Sequence, residues 1–106
     1  MPLLLEHTFR AWIDHVLDSG PKLIVIGEVQ VPTAGWHVRL TRRSLQGINR
    51  NILILDVTSE RPHGKANEMA TTIPLRYEER PPERPYTLVM TANGIHSVTV
   101  DVGHAH

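Results

Sequence analysis

Histidine has the widest chemistry of the side chains in this sequence, and two of the seven histidines stand close together at its end. His104 and His106 are two residues apart, so in a β-strand both imidazoles lie on the same face. Because paired imidazoles bind Zn²⁺ and other first-row transition metals, His104 and His106 are candidate metal ligands. A small metal-dependent protein or enzyme that uses this cluster with His96 is one hypothesis. Since chain ends fray and no carboxylate has a spacing that completes the site, a solvated end is the competing interpretation.

A hydrolytic triad is not predicted from the serine, histidine and acid near the C-terminus. Strand alternation puts His96 on the opposite face from Ser97 and Asp101, so the imidazole does not reach the hydroxyl. The sequence has no cysteine, which excludes disulfides, thiolate metal sites and thiol nucleophiles. It also lacks a glycine-rich phosphate loop. We therefore predict no catalytic residues and no cofactor.

A basic patch begins within the second predicted strand and continues after it, and such a patch could bind phosphate or an acidic partner. Eleven basic and eleven acidic side chains nevertheless give zero net charge, and the aromatic residues that interleave an RNA-binding sheet are missing. Ion pairs to Glu28 or Asp56 therefore account for the patch better than nucleic acid does. The patch consists of Arg39, Arg42, Arg43 and Arg50, with His37 beside it.

A charged, proline-rich connection, residues 78–85, precedes the last two predicted strands. Proline restricts the free conformations of a loop, so this connection loses little entropy when it binds a partner. Arginine and tyrosine are enriched at the centres of protein interfaces. Arg80, Arg84 and Tyr86 are therefore candidate binding residues. The alternative is a plain connection between strands, with its glutamates ion-paired to neighbouring arginines.

The first twenty residues have the apolar spacing of an amphipathic helix. The glycine and proline at positions 20 and 21 form a typical helix stop. The pattern predicts an α-helix over residues 2–18, within an N-terminal unit of residues 1–21. Its apolar stripe, at i, i+4, i+7 and i+11, consists of Leu5, Phe9, Trp12 and Val16.

This apolar stripe has to be covered, because leaving its large side chains in water costs on the order of 10 kcal/mol. Phe9, Trp12 and Val16 are therefore candidate binding residues. The helix could dock on its own domain, on a second copy of the chain or on a partner protein. A membrane surface is the least favoured, because the polar face carries acidic residues where interfacial helices carry Lys and Arg.

Six further runs of alternating or continuous apolar residues predict six strands, joined by polar loops with proline and glycine. Pro74 cannot donate to a β-ladder, so its strand is expected at a sheet edge or at a bulge. The last two strands form a hairpin, in which a three-residue loop (92–94) pairs Leu88 with Val98 on an apolar face. Gly94 supplies the positive φ that such a loop needs.

This order of elements predicts a mainly β fold, a single antiparallel β-sandwich of six or seven strands with the N-terminal amphipathic α-helix. The sandwich is immunoglobulin-like in the broad sense and covers residues 22–106. A length of 106 residues corresponds to one domain. A small barrel is the alternative architecture.

These patterns favour a non-enzymatic binding module that acts through protein–protein contacts, with a protein partner or a second copy of the chain as its target. No nucleic-acid partner and no membrane partner are expected. The sequence has neither an apolar run of about 20 residues, as a membrane span needs, nor a basic and apolar signal at its start. We therefore expect a cytoplasmic location, with a mature secreted form as the alternative.

Overall fold

The computed structural model describes residues 2–15, 20–64 and 68–105. These residues are mainly β and contain eight strands, one short 3₁₀ helix (Glu6–Thr8) and no α-helix. The strands are β1 (Leu3–Leu4), β2 (Arg10–Asp14), β3 (Lys22–Val31), β4 (His37–Arg42), β5 (Ile52–Glu60), β6 (Thr71–Glu79), β7 (Leu88–Ala92) and β8 (Ser97–Ala105).

The eight strands form one continuous sheet that curls into a half-barrel. β6 pairs with one edge of β3, while β1 and β2 pair with successive parts of the other edge. From β2 the sheet continues through β8, β7 and β5 to β4. The predicted antiparallel sandwich is therefore wrong, because the sheet is a single mixed one in which β2 runs parallel to β8 and β5 runs parallel to β7.

Strand β8 explains why two separate sheets do not form. Its nine residues are long enough to pair with β7 over residues 97–101 and with β2 over residues 102–105. One strand thus belongs to both halves of the sheet, and the hydrogen-bonded ladder passes from one half to the other. The sequence predicts the strand, but the alternation of its side chains carries no information about which neighbours it has.

The predicted N-terminal helical unit (1–21) is wrong for residues 2–15, which form β1, the 3₁₀ helix and β2. Phe9, Ala11 and Ile13 are buried. They are spaced two residues apart, which is the spacing of the buried face of a strand. The apolar residues of this segment therefore fit a strand pattern as well as a helical one. The first segment of the chain is therefore part of the sheet and is not laid on top of it.

Backbone hydrogen bonding explains why the strand is preferred over the helix. β2 is paired along both edges, so that Ala11 lies opposite Val25 of β3 on one side and Val102 of β8 on the other. A helix would satisfy only its own backbone and would leave the facing edges of β3 and β8 without partners. The Thr8 hydroxyl accepts a hydrogen bond from the Glu28 amide at 2.8 Å, which holds the 3₁₀ helix against β3.

The inner face of the curled sheet carries the hydrophobic core. Pro74 turns to the outer face, and β6 pairs only with β3 among the described strands, which confirms the predicted edge position. Each long strand contributes every second side chain to the core, as the alternation predicts. The apolar core residues with least exposure are Ile13, Leu23, Val25, Val29, Val31, Leu53, Leu55 and Val89.

All six strands predicted after the first segment are present, as β3 to β8. The hairpin of β7 and β8, however, has a four-residue loop (93–96), so the predicted three-residue loop is wrong. Val89 lies opposite Val100, whereas the shorter loop would have paired Leu88 with Val98. The side chains of β7 that face the core are consequently those that the three-residue loop would have turned to solvent.

Asn93 holds this longer loop in place. Its Oδ1 accepts hydrogen bonds from the amides of Ile95 and His96 at 3.0 and 2.8 Å, and its Nδ2 donates to the Pro2 carbonyl at 2.9 Å. An asparagine that caps its own turn in this way stabilises one loop geometry. Gly94 has a φ of 93°, as predicted.

Gly27 of β3 lies under the Phe9 ring, and a Cβ at this position would overlap the ring atoms. We expect Gly27→Ala to lower the free energy of unfolding by about 1–3 kcal/mol, the cost of overpacking a filled core. Urea denaturation measures the change. Gly103→Ala in β8 is the matched control, because a Cβ there meets its nearest neighbour at 3.8 Å. An equal loss from both substitutions would contradict the packing of Phe9 on β3.

Candidate functional site

The edge strands β4 and β6 lie side by side without forming a ladder, and polar side chains connect them. Arg42 Nη1 donates to Glu79 Oε1 and Oε2 at 3.1 and 3.3 Å, and to Tyr86 Oη at 2.9 Å. Tyr77 Oη donates to Glu79 Oε1 at 2.8 Å. These four residues, which we term the seam cluster, close the gap between the two ends of the sheet.

Partial burial strengthens the electrostatics of the seam cluster. The Glu79 side chain is 17% exposed and that of Arg42 is 44% exposed. The hydrogen bond to Tyr86 and the charge of Glu79 raise the pKa of Arg42. Burial, together with the hydrogen bond to Glu79, raises the pKa of Tyr77 to about 12. Both shifts favour a cationic Arg42 and a neutral Tyr77, which are the states that these hydrogen bonds require.

A cleft of about 550 Å³ lies beside the seam cluster, between the β4–β5 loop (43–51) and the β6–β7 loop (80–87). This volume is within the range of about 300–1,000 Å³ that is typical of ligand sites. We term it the arginine cleft. Its charged and aromatic lining residues are Arg42, Arg50, Glu83, Arg84 and Tyr86.

Two anchors fix the β4–β5 loop, which forms one wall of the arginine cleft. Gln46 donates from Nε2 to the Ile54 carbonyl at 2.9 Å and accepts from the Ile54 amide at 2.8 Å, so its side chain extends the ladder of β5. Arg43 binds the Asp56 carboxylate through two nitrogens, at 2.6 Å for the shorter contact, which confirms the predicted ion pair to Asp56. The base of the loop is therefore held in one position.

The same loop carries two exposed apolar side chains. Leu45 is 84% exposed and Ile48 is fully exposed. Both are next in sequence to residues that line the arginine cleft. Single exposed apolar residues are common on proteins, but two of them on an anchored loop at a cleft form a surface that a partner could cover.

Arg50 and Arg84 differ from Arg42 in their partners. Arg42 is neutralised by Glu79, whereas neither Arg50 nor Arg84 forms a hydrogen bond or an ion pair with any described residue. Glu83 is the one acidic residue of the cleft lining. The arginine cleft therefore keeps a positive charge that is available to an anionic group.

The predicted basic patch is divided by the fold. Arg42 and Arg50 line the arginine cleft, Arg43 is paired with Asp56, and Arg39 is exposed on the outer face of β4. Strand alternation separates Arg39 from Arg42, since they are three residues apart. The four arginines thus do not form one surface.

The loop residues predicted to bind a partner are also in different places. Arg84 and Tyr86 line the arginine cleft, and the Tyr86 side chain is buried against the core. Arg80 is exposed and does not belong to the lining. Their role in binding stays a prediction, and the structure brings two of them together with Arg50.

The predicted apolar stripe of the first segment is split by its strand conformation. Phe9 is buried in the core, and Trp12 is half-buried on the outer face of β2. Val16 lies outside the described residues. The amphipathic helix on which that prediction depended is absent from the described part of this segment, so the stripe does not exist as one surface there.

His104, one of the two candidate metal ligands, lies beside His15. His15 Nε2 and His104 Nδ1 are 3.0 Å apart, and the rings meet end to end, with centroids 5.3 Å apart and planes at 17°. His106 lies outside the described residues. Within the residues that the structure describes, no group of three or more histidines and carboxylates is arranged to hold a metal ion.

The prediction that the glutamates of the 78–85 connection are ion-paired is confirmed for Glu79, which binds Arg42. Sequence reasoning missed His15 and the exposed pair Leu45 and Ile48. Alternation from Tyr77 would have placed Glu79 on the inner face, where a carboxylate needs a cation. The apolar residues at 45 and 48 stood in a loop, where no strand or helix could bury them. Nothing in the local pattern could have connected His15 to His104, which is 89 residues away.

Comparison of the chain with protein-family models, with curated proteins and with solved structures gives no match. In the described residues no helix has the length and apolar character to cross a membrane.

The seam cluster predicts a pH dependence of stability. The pKa of Tyr77 is about 12 in the folded chain and 10.0 in its ordinary state, so the unfolded chain loses this proton first. The contribution of Tyr77 to stability is therefore complete below pH 10 and is lost as the pH rises towards 12. Near-ultraviolet absorbance of tyrosinate, measured with unfolding at each pH, checks this.

Glu79→Gln should lower the pKa of Tyr77, because the carboxylate is one cause of the shift. The contribution of Tyr77 to stability should then be lost over a narrower range above pH 10. Glu78→Gln is the matched control, since Glu78 is the neighbouring residue but binds Lys22 and Arg76 on the outer face. A Tyr77 titration that is the same in both variants would contradict the seam cluster.

Proposed function

We propose that this chain is a non-enzymatic interaction module that binds a segment of a protein partner in the arginine cleft. The observation that carries this proposal is the lining of one cleft by Arg50, Arg84 and Tyr86, which come from two separate loops. Arginine and tyrosine are among the residue types that supply most of the binding energy in protein interfaces.

The arginine cleft favours a partner segment that presents a carboxylate. A guanidinium group binds a carboxylate through two parallel, charge-assisted hydrogen bonds. Because Arg42 already binds Glu79, the cations available to a ligand are Arg50 and Arg84. Glu83 in the same lining repels groups of high negative charge, so a single carboxylate suits the site better than a nucleic-acid backbone.

Exposed apolar side chains on the loop beside the cleft favour an apolar residue next to that carboxylate. Leu45 and Ile48 are exposed on the β4–β5 loop, and covering one such side chain completely contributes roughly 1.5–3 kcal/mol. Gln46 fixes this loop, and prolines restrict the opposite one. Both loops are therefore ordered before binding, which lowers the entropy cost of association.

Peptides selected on the full chain from a random display library test this proposal. We expect the selected peptides to share Asp or Glu next to an apolar residue. We also expect a synthetic peptide of that sequence to bind the Arg50→Ala/Arg84→Ala variant about tenfold more weakly, which corresponds to about 1.4 kcal/mol. Isothermal titration calorimetry measures both affinities.

Arg39→Ala/Arg61→Ala is the matched control, because it removes the same charge from exposed arginines outside the cleft lining. Its affinity for the peptide should equal that of the native chain. Selected peptides without a shared acidic residue would contradict the proposal. So would equal losses in the two double variants, which would indicate long-range attraction in place of a site.

A further inference from the structure

The histidine pair at the ends of β2 and β8 shares no residue with the arginine cleft, and it has a chemistry of its own. We infer that His15 and His104 together form a binding site for a divalent first-row transition metal ion, with Cu²⁺ bound most tightly. The spacing of the two ring nitrogens, the rigidity of the strands that carry them and the donor chemistry of imidazole support this inference.

The spacing matches that of two imidazoles on one metal ion. Metal–nitrogen bonds of about 2.0–2.1 Å place two ligating nitrogens about 2.9 Å apart at a right angle and about 3.3 Å apart at a tetrahedral angle. His15 Nε2 and His104 Nδ1 are 3.0 Å apart, between these two values. The centroid separation of 5.3 Å places the two rings end to end, so each ring has to turn by roughly 40° to direct its lone pair at a common ion.

Proton positions in the pair can adjust to a metal without loss of a proton from the protein. Between two neutral imidazoles, one ring donates an N–H to the lone pair of the other. When the donating ring carries its proton on its other nitrogen, both facing nitrogens present lone pairs. The metal ion then takes the place of the shared proton, and binding competes with protonation of either ring.

The backbone holds the two histidines in register. Ile13 lies opposite His104 and Asp14 lies opposite Ala105 in the parallel pairing of β2 with β8. The His15 amide donates to the Ala105 carbonyl at 2.9 Å, which extends this pairing by one residue. Because both strands are fixed before any ion arrives, little conformational entropy is lost on binding.

The donor set favours Cu²⁺ among the divalent ions. Imidazole suits Zn²⁺, Cu²⁺ and Ni²⁺, and affinity for a given nitrogen site rises along the series to Cu²⁺. The described residues supply two ligands to this site, His15 and His104. The site differs from the sequence prediction, which paired His104 with His106, because its second ligand comes from β2.

Calorimetric titration of the full chain with Cu²⁺ tests the inference. We expect His15→Ala and His104→Ala each to weaken binding about tenfold or more. His37→Ala is the matched control, an exposed strand histidine on β4, and should bind as the native chain does. If His15→Ala binds Cu²⁺ as tightly as the native chain, the inference is overturned, whether or not His106→Ala weakens binding.

Proton NMR of the native chain gives a second test that needs no variant to fold. Paramagnetic Cu²⁺ broadens the signals of protons close to it. At substoichiometric Cu²⁺ we expect the ring protons of His15 and His104 to broaden together, before those of His37. Broadening of His104 without His15, or of all histidines equally, overturns the inference.

Discussion

The double pairing of β2 is the constraint on which the rest of the structure depends. Residues 10–14 pair with β3 on one edge, and residues 11–14 pair with β8 on the other. Without them, β3 and β6 would form one sheet while β4, β5, β7 and β8 formed another. With them the chain is one curled sheet. The curl brings β4 beside β6, where Arg42 reaches Glu79. The pairing of β2 with β8 places His15 beside His104.

The seam cluster consists of polar side chains at the edge of the apolar core. Apolar side chains fill most of the inner face, but Tyr77 and Tyr86 present hydroxyls at the seam, and Arg42 and Glu79 join them. A partly buried carboxylate is stabilised there by its hydrogen bonds, and the loss of one partner would leave a charge that is hard to solvate. Because Glu79 satisfies Arg42, the remaining charge of the adjoining cleft depends on residues from the two loops.

Sequence reasoning succeeded where alternation and turn residues are local. The six later strands, the edge position of Pro74 and the positive φ of Gly94 all follow from such signals. It failed where distant partners decide. The apolar residues of the first segment fit a helix or a strand, and only the open edges of β3 and β8 select the strand.

The predicted register of the hairpin is wrong for a related reason. Because β7 has apolar residues on both faces, the polarity of its side chains does not distinguish one register from another. The candidate site divides in the same way. Arg84 and Tyr86 were named from their types in a stiff loop, and both line the cleft. The partner Glu79 is 37 residues away from Arg42 and comes into reach through the curl of the sheet. His15 is 89 residues away from His104 and comes into reach through the pairing of β2 with β8.

The conformation of the first segment is tested most directly by nuclear Overhauser contacts from the Ala11 amide in the full, isotopically labelled chain. The fold requires contacts from the backbone of β2 to Val25 of β3 and to Val102 of β8 in the same sample. Contacts between residues three positions apart along 9–14, with none to β8, would show a helix in this segment. The single curled sheet, and with it the histidine pair, would then be contradicted.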